Sequence, residues 1–201
     1  RVAREERDQA NNRLHQLRQR AADWLESSLM SLLRPMGLDN VRFQVQLTAI
    51  DPSEQGTDQV TFLFSANPGQ PMAPLADVAS GGEMSRFLLA LKSTLAAVDG
   101  SSTLLFDEID AGVSGRVSGA MGDLLHSLAR HRQVFCVTHQ PLVAAVADHH
   151  YRVSKTVSDG VTHSQVSHLR DTRQRQQELA ELAGGEQAQA YAASLLEQKS
   201  S

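Results

Sequence analysis

The sequence predicts an α/β fold: a mostly parallel central sheet clothed by helices, antiparallel hairpins beside it, and a long charged helix leading in. Three observations carry that expectation. Two short apolar runs, "TLLF" (103–106) and "QVFCVT" (133–138), alternate with helical stretches, the pattern of parallel strands covered on both faces. Alternating segments flank turn chemistry at two places, which is the pattern of hairpins. Residues 1–34 repeat apolar positions in steps of three and four with charges between them.

In the first helix the apolar positions are Leu14, Leu17, Ala21, Trp24 or Leu25, Leu29 and Leu32. The stripe suits either the end of a coiled coil with a partner helix or a surface helix packed on its own core. Pro35 and Gly37 stop it. "NVRFQVQLTAI" (40–50) and "DQVTFLFSA" (58–66) then form a hairpin around "DPSEQGT". A Pro-rich loop, "NPGQPMAPLADVA", leads to a helix over 82–98. A helix over 115–130 lies between the two apolar strands. "HHYRVSKTVSDGVTHSQVSHL" (149–169) is a second hairpin turning at 158–160, and helices over 173–183 and 187–198 close the chain.

Composition narrows the function classes. The net charge of −4 supplies no bulk basic field for nucleic acid or an anionic membrane. The single cysteine, Cys136, makes no internal disulfide, and its apolar setting makes it a core thiol in a reducing cytoplasm. No apolar run reaches the ~18 residues of a membrane span. The opening "RVAREERDQ" has no Met and reads as part of a longer protein.

Three short stretches carry chemistry. Ser80-Gly81-Gly82-Glu83 opens a helix, where backbone N–H groups lack partners and the dipole is positive. The glycines admit a close ligand, so the loop is either a phosphate site or an ordinary capped helix start. Gly184-Gly185, in a similar "AGGE", follows a helix and reads as its stop. "TLLFDEID" delivers Asp107 and Glu108 to a strand's carboxyl end, where α/β sheets bind ligands. Asp107 suits Mg²⁺, directly or through water, and Glu108 suits a base for an attacking water; the bland alternative is a solvated acidic loop. His139 ends the other apolar strand and either meets a phosphate or water or is incidental.

Together, a glycine-led helix, a strand ending in Asp-Glu 27 residues on, and a strand ending in His 31 residues after that glutamate resemble the C-terminal lobe of ABC-type ATPase heads. "SGGE" is similar to the signature motif, "TLLFDE" to the Walker B strand, "IDAGVSG" to the D-loop region and His139 to the switch histidine. The entering helix favours the coiled-coil SMC-like branch. "VASGGEMSRFLLALK", "LLFDEIDAGVSGR", "VTHQPLVAAVADHHYRVSK" and "ELAELAGGE" resemble the RecN family of bacterial DNA-repair ATPases from about residue 38 to the end. Ser114 stands where transporter heads carry Asp.

The resemblance implies residues 1–36 as the end of a coiled-coil arm and 37–201 as the C-terminal half of a head. It implies ATP and Mg²⁺ as cofactors and Glu108 and His139 as catalytic. Ser80, Gly81, Gly82 and Glu83 would reach ATP across a head dimer, with Asp110 and Ser114 in the D-loop and Asp107 at the metal. It implies as partners a Walker A lobe of the same protein, a second head and DNA, in the cytoplasm at the nucleoid and without a membrane. No GxxxxGK[ST] is present, and "LKST" (91–94) lies within a helix, so this chain alone is expected to be inactive. The rival expectations are another SMC-like head, a transporter ATPase and a non-catalytic dimerisation scaffold. His149, His150, His163 and His168 carry no companion Cys or carboxylate at ligand spacing and read as strand histidines. Arg1, Arg4, Arg7, Arg13, Arg18 and Arg20, interleaved with acids, read as a solvated helix face, with DNA phosphates as the alternative.

Overall fold

A computed structural model describes residues 2–67, 69–78, 81–96, 98, 100, 103–107, 109–113, 115–158 and 160–199. The chain forms two compact units, Arg1–Asp99 and Gly100–Ser201.

In the first unit, helix α1 (Val2–Leu33) runs into a single 3-10 turn at Arg34–Met36. Pro35 and Gly37 end it as expected. Gly37 takes φ 73°, a left-handed conformation cheap only for glycine, and Leu38 N–H donates to Leu33 O at 3.2 Å. Strands β1 (Arg42–Ser53) and β2 (Gly56–Ser65) pair antiparallel from Arg42↔Ser65 to Ser53↔Gly56, so the hairpin is longer and its turn tighter than the sequence suggests. Gly56 permits that turn at φ 100°. A short β3 (Ala73–Pro74), hidden in the Pro-rich loop, adds to β2, and α2 (Gly82–Thr94) follows.

Phe87 of α2 is the centre of the core. It meets Phe64 edge-on at 4.8 Å and Phe43 at 5.4 Å, and Leu29, Leu33, Met36 and Leu89 are buried with it. The buried side of α1 is Ala22, Leu25, Leu29 and Leu33, while Leu17 and Trp24 stay exposed. The helix therefore has two apolar stripes, which the single expected stripe merges. Its lower half packs on its own unit.

The upper part of α1 is fastened differently. The buried carboxylate of Asp58, on β2, bonds His15 Nδ1 at 2.7 Å and accepts from Arg18 Nη1 at 3.3 Å. Arg18 Nη2 also donates to Gln55 O at 2.8 Å. Arg18 is thus a clasp on the hairpin, not part of a solvated face. The His15 hydrogen bond, with Arg18 in support, holds the Asp58 carboxyl below the usual range against the opposing effect of burial.

In the second unit, β4 (Thr103–Asp107) and β5 (Gln133–Val137) pair parallel, as expected, from Thr103↔Gln133 to Asp107↔Val137, with α3 (Gly115–Ala129) between them in sequence. One face carries the buried Leu104 and Phe106. The other presents Leu105, Phe135 and Val137, which are 70%, 47% and 55% exposed. The expectation of cover on both faces fails here: the runs are apolar on both sides, but only one side is covered. Cys136 is half-buried rather than deep in a core.

A five-residue helix, α4 (Pro141–Ala145), follows the second strand and is too short to show periodicity in the sequence. Strands β6 (His150–Ser158) and β7 (Val161–Leu169) form the expected hairpin, with Gly160 at φ 76°. Asp171 caps α5 (Thr172–Leu182) by accepting from Gln174 N–H at 2.8 Å. Gly184-Gly185 stop that helix in left-handed conformations, with Gly185 N–H donating to Ala180 O at 2.8 Å. Then α6 (Gln189–Lys199) packs back, and Leu179, Ala180, Ala192 and Leu195 join Ala144 and Ala145 in one cluster.

Candidate functional site

The candidate residues fall in both units. In the first, Gly81 is the N-cap of α2 and Gly82 its first residue. Ser80 lies outside the described residues, as does Ala79. Gly81 has an extended backbone (φ −172°) that any residue adopts, so conformation does not demand glycine here. Crowding does not demand it either: a Cβ at Gly81 would meet nothing within 4 Å among the described residues. Gly81 itself has no side chain to cap the helix, whose first N–H groups have no partner within it. A cleft of about 260 Å³ opens there, lined by Gly81, Gly82, Glu83, Met84, Phe64, Ala66 and Val78.

Arg86, one turn into α2, is a residue that pattern reading missed. It is only 8% exposed, and its Nε has no hydrogen-bond partner among the described residues. Burial lowers its pKa, against the nearby Glu83 charge. A lone arginine in an amphipathic helix gives no sign in the sequence that it will be buried.

In the second unit the parallel ladder sets Asp107 opposite Val137, so both strands end level. The exposed Asp107 carboxylate stands at that edge, and Thr138 and His139 leave the neighbouring strand just beyond it. The sequence reading of one shared strand-end edge holds for Asp107 and His139. Glu108 and Ser114 lie outside the described residues.

The Asp110 side chain is 0% exposed and bonds the loop over 138–140. Thr138 Oγ1 donates to its Oδ2, as do the backbone N–H groups of His139 at 3.2 Å and Gln140 at 3.3 Å. The His139 ring itself is 62% exposed, with Nδ1 3.6 Å from Asp110 Oδ1. Beneath the edge, burial, followed by the charges of Asp110 and Asp107, pushes the Cys136 thiol up to about 12, which keeps it protonated at neutral pH.

The donor set fits a nucleotide with Mg²⁺. Asp107 offers one hard, accessible oxygen, and Mg²⁺ takes one or two carboxylates with phosphate and water completing its shell. Among the described residues no group of three or more His, Cys, Asp or Glu lies close enough to hold a metal ion.

No family model matches the chain. It is 46% identical to the DNA repair protein RecN of Synechocystis over 90% of its length. It is 39% identical to RecN of Xylella fastidiosa over 94% and 42% identical to RecN of Deinococcus radiodurans over 86%. It spans about a third of each: 34%, 35% and 30%. Among solved structures it shares a fold with the Smc head domain of Pyrococcus furiosus, bound to the C-terminal domain of ScpA (TM-score 0.52, 18% identity, 82% of this chain and 39% of that one). The Smc head of Pyrococcus yayanosii, with a coiled coil and joint, is equally similar (TM-score 0.52, 19% identity, 88% of this chain and 29% of that one). Over most of its length the chain is thus similar to DNA repair proteins named RecN, of whose length it spans about a third.

Proposed function

We propose that this chain is the signature and Walker B half of an ATP-hydrolysing head in a protein that acts in the repair and recombination of DNA double-strand breaks. Residues 1–36 are the end of its coiled-coil arm and 37–201 the C-terminal half of the head. The observation that carries the reading is the bare apolar face of β4–β5 beside the strand ends that bear Asp107 and His139. An apolar face of that kind is covered in a finished protein, and a second lobe bearing the phosphate loop would cover it.

The residues then divide the work. The open N–H groups at Gly82 and Glu83 bind a phosphate brought by a second head, and the absent Cβ of Gly81 lets it approach. Asp107 holds Mg²⁺, directly or through water, Glu108 takes the proton of the attacking water, and Asp110 and Ser114 belong to the D-loop region. Bound ATP with Mg²⁺ supplies the phosphoryl group that passes to water. The working unit is a head dimer engaged with DNA, in the cytoplasm at the nucleoid. Relatives of 39–46% identity named for DNA repair favour this over a transporter or another SMC-like head.

Glu108→Gln in the full-length protein tests it. Gln keeps the shape but takes no proton, so turnover is expected to fall by roughly 10²–10⁴-fold with nucleotide binding intact. Wild-type turnover in that variant would remove Glu108 from the reaction.

A further inference from the structure

We infer that Asp110 is a positioning residue that holds the switch histidine, His139, with its proton on Nδ1 and its Nε2 free toward the nucleotide; the inference rests on the ATPase-head reading. The two oxygens of this buried carboxylate are unequally served. Oδ2 accepts from Thr138 Oγ1 and from the N–H groups of His139 and Gln140. Oδ1 is equally buried and has no hydrogen-bond partner among the described residues. His139 Nδ1 lies 3.6 Å from it, just beyond hydrogen-bond length. A buried charged oxygen left without a donor is costly, so the pair favours the tautomer with the proton on Nδ1. The other ring nitrogen agrees: Gln140 Nε2 lies 3.4 Å from His139 Nε2, a contact in which the amide donates and Nε2 accepts.

The consequence is chemical. The outward nitrogen carries a lone pair in the resting state and can take a hydrogen bond from water. Asp110 touches no substrate. It also pins the loop through two backbone N–H groups, so a merely structural role is the competing account.

The test uses the full-length protein with ATP in steady state, with Glu108→Gln as the reference. In Asp110→Asn the amide oxygen still accepts from the loop N–H groups, while the amide nitrogen faces Nδ1 and reverses the tautomer. A drop in kcat of at least about tenfold, with KM within about twofold, is expected. In a His139→Ala background the same substitution is expected to cost nothing further, because its effect passes through the ring. Losses that multiply in the double variant, or an unchanged kcat in Asp110→Asn, overturn the inference. If Asp110→Asn does not fold, His139→Gln replaces it: Gln offers an amide near the Nε2 position and nothing at Nδ1. Turnover as low as in His139→Ala supports the inference, and wild-type turnover overturns it. A wild-type protein without ATP turnover overturns the head reading and this inference with it. Turnover that Glu108→Gln lowers and Asp110→Asn does not overturns the inference alone.

Discussion

His150 illustrates how one side chain sets a pH response. It is buried at the start of β6, and burial, then the Arg175 guanidinium, hold it below the usual imidazole range. The unfolded chain therefore binds a proton there that the folded chain does not. Stability rises with pH from that lowered value up to about 6.5 and is lost on acidification through the same window. Asp58 acts lower on the scale: with its pKa depressed, its contribution is intact above about pH 4 and is lost as pH falls through the depressed value. Hydrogen exchange on the full-length protein is expected to show the β6–β7 amides loosening as pH falls below about 6.5, with His150→Gln flattening that response, while the β1–β2 amides hold until below about pH 4. Gly56 is a sharper test of a single atom. An added Cβ would come within 2.8 Å of Leu14 Cδ2 at a φ of 100°, so Gly56→Ala is expected to cost about 1–3 kcal/mol in a denaturant melt. The chemistry-bearing residues Asp107 and His139 were legible because strand ends are legible. The roles of Asp58, Arg86 and Asp110 were not, because partners tens of residues away decide whether a charge is buried.

At the scale of elements, the long helix, both hairpins and the parallel pair follow from periodicity and turn residues. What periodicity could not show was anything short. The two residues of β3 pair only because Leu63 and Phe64 stand opposite, and α4 has barely one turn. Nor could it show which side of an element is covered. The apolar run of β4 reads as buried on both faces, yet Leu105 is bare. That difference carries a prediction. Leu105→Asp is expected to leave the thermal melt of this chain nearly unchanged, since the side chain touches water here. In the full-length protein the same change is expected to cost several kcal/mol or to prevent folding, as an unpaired buried charge does. Equal melting shifts in the two settings would argue that no lobe covers the face.

At the scale of the whole molecule, the sequence places the glycine-led helix start and the acidic strand end in different units of a chain that is itself about a third of its relatives. If the signature loop serves a second head, two broken proteins can complement each other. Ser80→Arg in one full-length protein and loss of the phosphate-loop lysine in another are each expected to abolish ATP turnover. A mixture that exchanges subunits should regain part of it, through the one dimer site left intact; mixed dimers without turnover would count against a role in trans. The clasp at Asp58 has a mechanical consequence on this scale. Helix α1 is held at Leu33 and again at Arg18, points about 22 Å apart at 1.5 Å per residue, and continues about 24 Å beyond the second to Val2. Two fulcrums fix a direction. A slip of about 1 Å at the hairpin tip would swing the far end of the helix by roughly 2 Å on that geometry, and in proportion further along any arm that extends it. The hairpin is thus a gear of about twofold ratio, whose teeth are one histidine, one arginine and the carboxylate they share.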